Sequence, residues 1–182
     1  MLTETAYVVD QFGYIVADAA TRSGLTINYM YGHPLEIVDI LSELAKTQAQ
    51  ETSRFPLVAF FLDFEEVKGN RSDIESVVKL NLAICSKTIP TYSATDRMTN
   101  SFKAILYPIY DSLLEAILYS GYYSNVKKTI PPKHKKIDRL FWGKTGLYNN
   151  TSNMFNDYID AIEIKDLELE VYKQHCQPTE IL

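Results

Sequence analysis

The chain has 182 residues, 46% of them apolar and 23% charged, with a formal net charge of −5. This length and composition predict one soluble globular domain with a sizeable core. The sequence has no basic-then-apolar leader and no apolar run near about 18 residues, so it predicts neither a signal peptide nor a membrane span. Its two cysteines, Cys85 and Cys176, are too few for a disulfide framework and predict synthesis in a reducing compartment.

The N-terminal part predicts two helices separated by a short extended segment. Apolar residues recur every three or four positions through residues 6–20, which is typical of one face of an amphipathic helix. Residues 25–31 alternate enough for a short strand or an extended arm. Pro34 suits the first turn of a second helix, which we expect to run to about Thr47.

The most apolar run is FPLVAFFLDF at residues 55–64. Its length and lack of alternation predict the central strand of a sheet, covered on both faces. A buried helix has a similar composition, but Pro56 and the charged exit at 65–69 favour the strand. Residues 78–85 alternate with a period of two, so we expect a second strand that pairs with the first in an extended hairpin.

A third, longest helix is predicted to start at Thr95-Asp96 and to run up to Gly121, with Pro108 inside its apolar pattern. Because proline removes a backbone donor, it should kink the helix or split it at Tyr107. In the last strand, residues 158–172, the apolar phase slips by one residue at positions 165–166. That slip predicts a β-bulge or a break between two strands.

These elements predict an α+β fold with a single, mostly antiparallel sheet and helices packed mainly on one face. We expect one domain, 1–182, from which residues 122–156 project as a basic and polar insertion. Helices on one face leave the other face free, whereas the run at 55–64 is typical of a strand covered twice. An inserted segment or a neighbouring subunit is therefore expected to cover the second face.

No motif predicts a cofactor, a metal site or an enzyme. Gly143-Lys144-Thr145 has the end of a phosphate-binding loop, but Asp138 stands where that motif needs glycine. The histidines have no metal-ligand spacing, and there is no GxSxG motif. A catalytic triad dispersed along the chain stays open.

The charge is distributed unevenly. Residues 127–144 hold seven cations and one carboxylate, a net +6 that leaves −11 for the rest of the chain. Such a segment is a solvated loop, a contact for DNA phosphates, or a contact for an acidic neighbour. Its predicted partner- or DNA-contacting residues, ending in an aromatic tip, are Lys127, Lys128, Lys133, Lys135, Lys136, Arg139, Phe141, Trp142 and Lys144.

Acidic residues cluster after the apolar run and along the last strand. Alternating acids are typical of a solvated strand face, but they also suit the basic segment of a neighbouring copy, which would give a ring. The acidic surface predicted between subunits consists of Glu65, Glu66, Asp73, Asp157, Asp160, Glu163, Asp166, Glu168 and Glu170. A further alternative is a metal-dependent hydrolase that uses Asp63, Glu163 and Lys165.

From about residue 35 to 172 the order of elements resembles that of bacteriophage tail-terminator and neck (head–tail connector) proteins. The matching pieces are N-terminal helices, FPLVAFFLDF, a charged loop, VVKLNLAIC, FKAILYPIYDSLLEAIL and DAIEIKDLELEV. The richness in Asn, Tyr, Ile and Lys is also similar to the neck-ring proteins of crAss-like phages that infect gut bacteria. The segment 122–156 departs from the simplest members of the family.

The resemblance implies a tail-terminator-like fold and a structural virion protein, without enzyme activity, cofactor or membrane contact. The chain would be one subunit of a homo-oligomeric neck ring of roughly six or twelve copies. That ring would join portal and tail around the DNA channel, contact the portal and other neck or tail proteins, and touch the passing genome. It would be assembled in the host cytoplasm. The alternative is a nucleic-acid-binding accessory protein that uses residues 127–144.

Overall fold

The structure is a computed structural model that describes residues 7–45, 54–68, 74–126, 131–142 and 158–172. Gly24 ends the first helix in the left-handed conformation, with φ 67°. In chain order the elements are α1 (Val8–Ser23), β1 (Asn28–Gly32), α2 (Pro34–Ala45), β2 (Leu57–Lys68), β3 (Ile74–Lys87), α3 (Ala94–Arg97), a π-helical segment (Met98–Leu106), α4 (Tyr107–Tyr119), β4 (Lys135–Arg139) and β5 (Ile159–Tyr172).

The strands form one five-stranded sheet in the order β1-β2-β3-β5-β4. Three of its pairings are antiparallel and β1–β2 is parallel, so the predicted α+β fold with a mostly antiparallel sheet is confirmed. The apolar run lies in β2, which pairs with β3 in the expected hairpin. The prediction that it is the central strand is wrong, because β3 occupies the middle of the sheet.

Both faces of the first part of β2, residues 57–60, are covered by the chain itself. Val58 and Phe60 face α1, where the Phe12 and Phe60 rings lie 5.1 Å apart, and Leu57 and Ala59 face α2 on the opposite side. Burial of Phe60 alone stabilises the fold by about 1.5–3 kcal/mol. For residues 57–60 the second face is thus covered by α2 of the same chain, so the expectation that a neighbouring subunit covers it is wrong there.

Helix α2 covers that face because it connects two parallel strands. Parallel neighbours cannot be joined by a tight turn, so the chain between β1 and β2 must cross over a face of the sheet. The other helices, α1 and the stretch from α3 to α4, lie together on the opposite face. The helices thus pack mainly on one face, with α2 as the exception.

The long helix changes its hydrogen bonding where the sequence predicted. Ser93 caps its start, and the Ser93 hydroxyl and Asp96 carboxylate each accept a bond from the other residue's backbone N–H. Through the π-helical segment the bonds reach five residues back, ending with Tyr107 N–H to Phe102 O, and α4 then begins with Pro108 in its first turn. The chain stays helical through Tyr107, with φ −67° and ψ −45°, so at the predicted kink or split the helix changes its hydrogen bonding and does not break.

The predicted bulge in β5 is also present. Leu80 is opposite Leu167 and Leu82 is opposite Ile164, so Asn81 alone faces two residues of β5. Asp166 has a φ of 54°, and its N–H donates to the Asn81 Oδ1 at 3.2 Å. The extra residue restores the phase, so the apolar side chains on both sides of the bulge face the same core.

Two described parts of residues 122–156 close the outer edge of β5 and do not project. β4 pairs with the first half of β5, and Tyr123 forms a bridge to Val171 in the second half. The prediction of a projecting insertion is wrong for these parts, because the backbone groups of a 14-residue strand need partners along its whole length. Residues 127–130 and 143–156 lie outside the described residues.

Within the described ranges, no helix is both long enough and apolar enough to cross a membrane.

Candidate functional site

The cations of β4 form ion pairs within the chain. Lys135 Nζ lies 2.6 Å from an Asp166 oxygen, Lys136 Nζ lies 2.5 Å from Asp138, and Arg139 Nε lies 3.1 Å from Glu163. Two of these acids belong to the neighbouring strand β5. The sequence predicted that basic and acidic segments of different copies contact each other. For these three pairs, the cation and the acid belong to the same chain.

The helix-facing side of β4 is fixed by two tyrosines of α4. The Tyr107 hydroxyl donates to Asp138 at 2.7 Å, and the Lys136 ammonium lies 4.4 Å from the centre of the Tyr107 ring. The bond to Asp138 raises the pKa of Tyr107 to about 12. Tyr110 bonds the His134 ring at 2.6 Å just before β4. These contacts hold the basic strand against the body of the protein.

The aromatic tip predicted for stacking on DNA or on a partner is not free. Phe141 lies under the Arg97 guanidinium, 3.5 Å from ring centre to Cζ, with a positive φ of 52°. Trp142 Nε1 donates to Glu163 at 2.9 Å, and the Trp142 ring packs on the α2 side of the sheet. The prediction that Phe141 and Trp142 form an exposed tip is wrong.

A buried ion pair lies beneath Phe141. Arg97 is 1% exposed and Asp160 is 0% exposed, with 2.7 Å between Arg97 Nη1 and Asp160 Oδ1. The guanidinium also donates to the carbonyls of Ile89 and Tyr92, so it ties the loop after β3 to β5. The prediction that Asp160 belongs to an exposed acidic surface is wrong.

The sequence does contain a signal for this pair, which our sequence analysis missed. Asp160 occupies the same strand phase as Ile162 and Ile164, which is the buried phase. A carboxylate in a buried phase requires a cationic or hydrogen-bonding partner. That Arg97 is the partner follows only from the fold, because 63 positions separate the two residues.

Glu163 lies on the opposite face of β5 and is 9% exposed. It accepts from Arg139 and Trp142, and Lys165 Nζ lies 3.3 Å away. Burial raises the pKa of Glu163, but the bonds from Trp142 and Arg139 together with the charge of Lys165 outweigh it, so the pKa lies below the ordinary value. Glu163 is therefore a structural carboxylate.

The remaining described acids of the predicted surface have separate positions and partners. Glu65 is 3.8 Å from Lys79, Glu66 is 2.9 Å from Lys68, and Glu170 accepts from Ser124 at 2.6 Å. Glu168 is half-buried, and its N–H donates to the Lys133 carbonyl. Asp160 and Glu163 face opposite sides, so these acids do not make one surface. Outside the described residues lie Asp73, Asp157, Lys127, Lys128 and Lys144.

Asp63 and Glu163, the two carboxylates of the hydrolase alternative, do not lie together. Glu163 is opposite Ala83, which is opposite Ala59, whereas Asp63 lies four residues farther along β2. Two strand spacings alone place Asp63 and Glu163 about 10 Å apart. In the part of the chain that the structure describes, no three His, Cys, Asp or Glu side chains are grouped so that they can hold a metal ion.

The other edge of the sheet differs in chemistry. β1 has the sequence NYMYG, without any charge, and it occupies the end of the strand order. Beyond Gly32, β2 continues for seven residues with Leu62 43% and Val67 54% exposed. We call the outer side of β1 together with that of residues 62–68 the open edge.

No protein-family model, no curated protein and no solved structure matches this chain.

Proposed function

We propose that this protein is a structural virion protein, a subunit of an oligomeric ring in the phage neck that joins portal and tail around the DNA channel. Portal and other neck or tail proteins would be its partners, and the chain would act by shape and contact, without chemistry of its own. The proposal is supported by the order of elements on which the resemblance rests, which the fold contains with one further strand, β4, between α4 and β5.

The observation that carries the proposal is the distal ribbon, defined as β2 residues 62–68 with β3 residues 74–80. Its strands stay paired to Lys68 and Ser76, although on β2 six of the seven ribbon residues are exposed. Leu62 and Val67 are exposed apolar side chains on that strand. Exposed apolar side chains on a strand with no described partner on its outer side support a contact surface at this place. The charged residues between them, Asp63, Glu65, Glu66 and Lys68, protect the same edge from uncontrolled pairing.

Two earlier reasons for a ring no longer apply to the described residues. Helix α2 covers the second face of β2, and the cations of β4 have partners within the chain. The ribbon is therefore where we expect contacts with neck proteins.

The test is whether the protein is part of the phage particle and whether the ribbon holds it there. Leu62→Glu with Val67→Glu should remove the protein from purified virions or neck particles, as measured by mass spectrometry of the particles. The matched control is Ile89→Glu, a 48% exposed side chain in the loop after β3, which should stay incorporated. Absence of the unmodified protein from virions would overturn the proposal.

A further inference from the structure

The open edge has backbone groups that lack partners in the sheet. Asn28 N–H donates to the Pro56 carbonyl, toward β2. Because backbone groups of successive strand residues point to opposite sides, the N–H and C=O of Tyr29 and Tyr31 point away from β2. In the described chain no other strand lies on that side.

Within the described residues, β1 also lacks the features by which proteins protect an edge strand. Such edges are blocked by charges, by proline, by bulges or by covering segments. β4, at the other end of the sheet, has four charged residues in five, whereas β1 has none and contains no proline. Tyr31 is 54% exposed on it.

We propose that β1 pairs antiparallel with β1 of a second copy, about a two-fold axis at Met30. The sequence N-Y-M-Y-G is nearly palindromic about that residue. In this register Tyr29 lies opposite the partner's Tyr31, and Tyr31 opposite the partner's Tyr29. Each outward N–H of these tyrosines then donates to an outward C=O of the second copy, which gives about four backbone hydrogen bonds. Registers centred on Tyr29 or on Tyr31 pair fewer of these groups.

The side chains suit the same register. Tyr29 and Tyr31 share one face of β1, their rings lie 6.0 Å apart, and the Tyr29 hydroxyl is held by the Val9 carbonyl at 2.9 Å. Opposite residues of an antiparallel pair lie about 5 Å apart at Cβ, so each exposed Tyr31 reaches an ordered Tyr29 of the other copy. With no charge in β1, the strand does not repel its own copy. This chemistry selects a second copy over a charged partner strand.

The pairing does not depend on the proposed place in the phage neck. It joins two five-stranded sheets into one continuous sheet and uses β1, whereas the contact with neck proteins uses the distal ribbon. The two can therefore fail separately in experiments.

Cysteine cross-linking tests the register. On the two-fold axis the Met30 residues form a non-hydrogen-bonded pair with Cα atoms about 4.5 Å apart, which suits a disulfide. In a Cys176→Ser background, Met30→Cys should give a covalent dimer on mild oxidation. Asn28→Cys is the matched control on the same face, because four residues along antiparallel strands separate its two copies by about 14 Å.

A substitution of the exposed tyrosine tests the contact without a cross-link. Tyr31→Lys places a charge on the edge opposite the partner's Tyr29 and should raise the dimer dissociation constant at least about tenfold in analytical ultracentrifugation. Ile89→Lys adds the same charge away from β1 and should leave the dimer intact. Thermal unfolding of each variant checks that the monomer fold is kept.

A protein that is monomeric at every concentration overturns the proposal. So does a dimer that survives Tyr31→Lys unchanged, or cross-linking of Asn28→Cys as efficient as that of Met30→Cys. A Met30-specific dimer of a protein that is absent from virions supports the pairing and removes the neck proposal. A protein that is present in virions but monomeric in solution supports the neck proposal and overturns the pairing.

Discussion

The two edges of this sheet have opposite chemistry. β4 has four charged residues in five, and Lys135, Lys136 and Arg139 each have an acidic partner within 3.1 Å in the same chain. β1 has no charge, and Tyr31 is exposed on it. One edge is neutralised and held under α4, whereas the other is bare.

The difference teaches that a conspicuous charge cluster and a docking surface are different things. The basic segment stands out in the sequence because its partners are far along the chain, and the fold brings those partners next to it. The uncharged NYMYG strand does not stand out at all, yet among the described residues it is an edge strand without the charges that β4 has. Partner contacts are therefore better sought where the fold leaves groups unsatisfied.

The largest expected effect concerns the ion pair that holds the end of the β4 edge. Asp160→Ala leaves the Arg97 guanidinium buried without its carboxylate. We expect the free energy of unfolding to fall by about 3–5 kcal/mol, measured by urea denaturation. The matched control, Asp166→Asn, removes an exposed partner of Lys135 and should leave the midpoint close to that of the unmodified protein. An equal loss of unfolding free energy in the two variants would contradict a stabilising role of the buried Arg97–Asp160 pair.

The next effect separates ring contact from backbone strain at Phe141. Phe141→Ala removes the ring from Arg97 but keeps a side chain at a φ of 52°, and should cost about 2 kcal/mol of stability. Phe141→Gly loses the same ring but tolerates positive φ, so it should be about 1 kcal/mol more stable than the alanine variant. Denaturation midpoints in the order Phe, Gly, Ala are expected. An alanine variant at least as stable as the glycine variant would show that the positive φ carries no strain.

A pH dependence is expected from Glu163, which links β4 to β5. Its pKa lies below the ordinary 4.5 in the folded chain, so folding favours the ionised form. The resulting stability is present above about pH 4.5 and is lost as the pH falls through the folded pKa. Glu163→Gln should lower the free energy of unfolding by roughly 1–2 kcal/mol at pH 7 and by less at pH 3. A difference between the two proteins that stays constant with pH would exclude this role.

The smallest effect is expected on the affinity for DNA. Because the β4 cations already pair with acidic side chains, they neutralise few DNA phosphates and release few of the counterions condensed on the DNA. A triple variant tests this: Lys135→Gln, Lys136→Gln and Arg139→Gln. It should change the dissociation constant for duplex DNA by less than about threefold at roughly 150 mM salt. Lys133→Gln is the comparison at an exposed position just before the strand. A tenfold loss with the triple variant would restore the nucleic-acid-binding alternative.

Local features of the fold were predictable because they depend on short-range rules. The bulge follows from the apolar phase around Asp166, and the change of helix type at Tyr107 follows from Pro108. That the apolar run forms a strand follows from its composition. Its place next to the central strand of the sheet does not, since strand order depends on pairing between distant segments. The strand–helix–strand order around α2 did contain a signal for a crossover helix, and hence for the cover on the second face of β2.

The sequence by itself determined most of the elements, the α+β class and the places where regular structure is interrupted, because periodicity and proline act within a few residues. It did not determine β4, which is a strand because it pairs with β5. Only the tertiary structure decided which charges meet and which edge stays open. Arg97 reaches Asp160, and Arg139 reaches Glu163, across stretches of chain whose folding the local pattern does not encode. β1 is an edge strand because α2 returns the chain to its inner side, where β2 pairs, and no described strand pairs with its outer side.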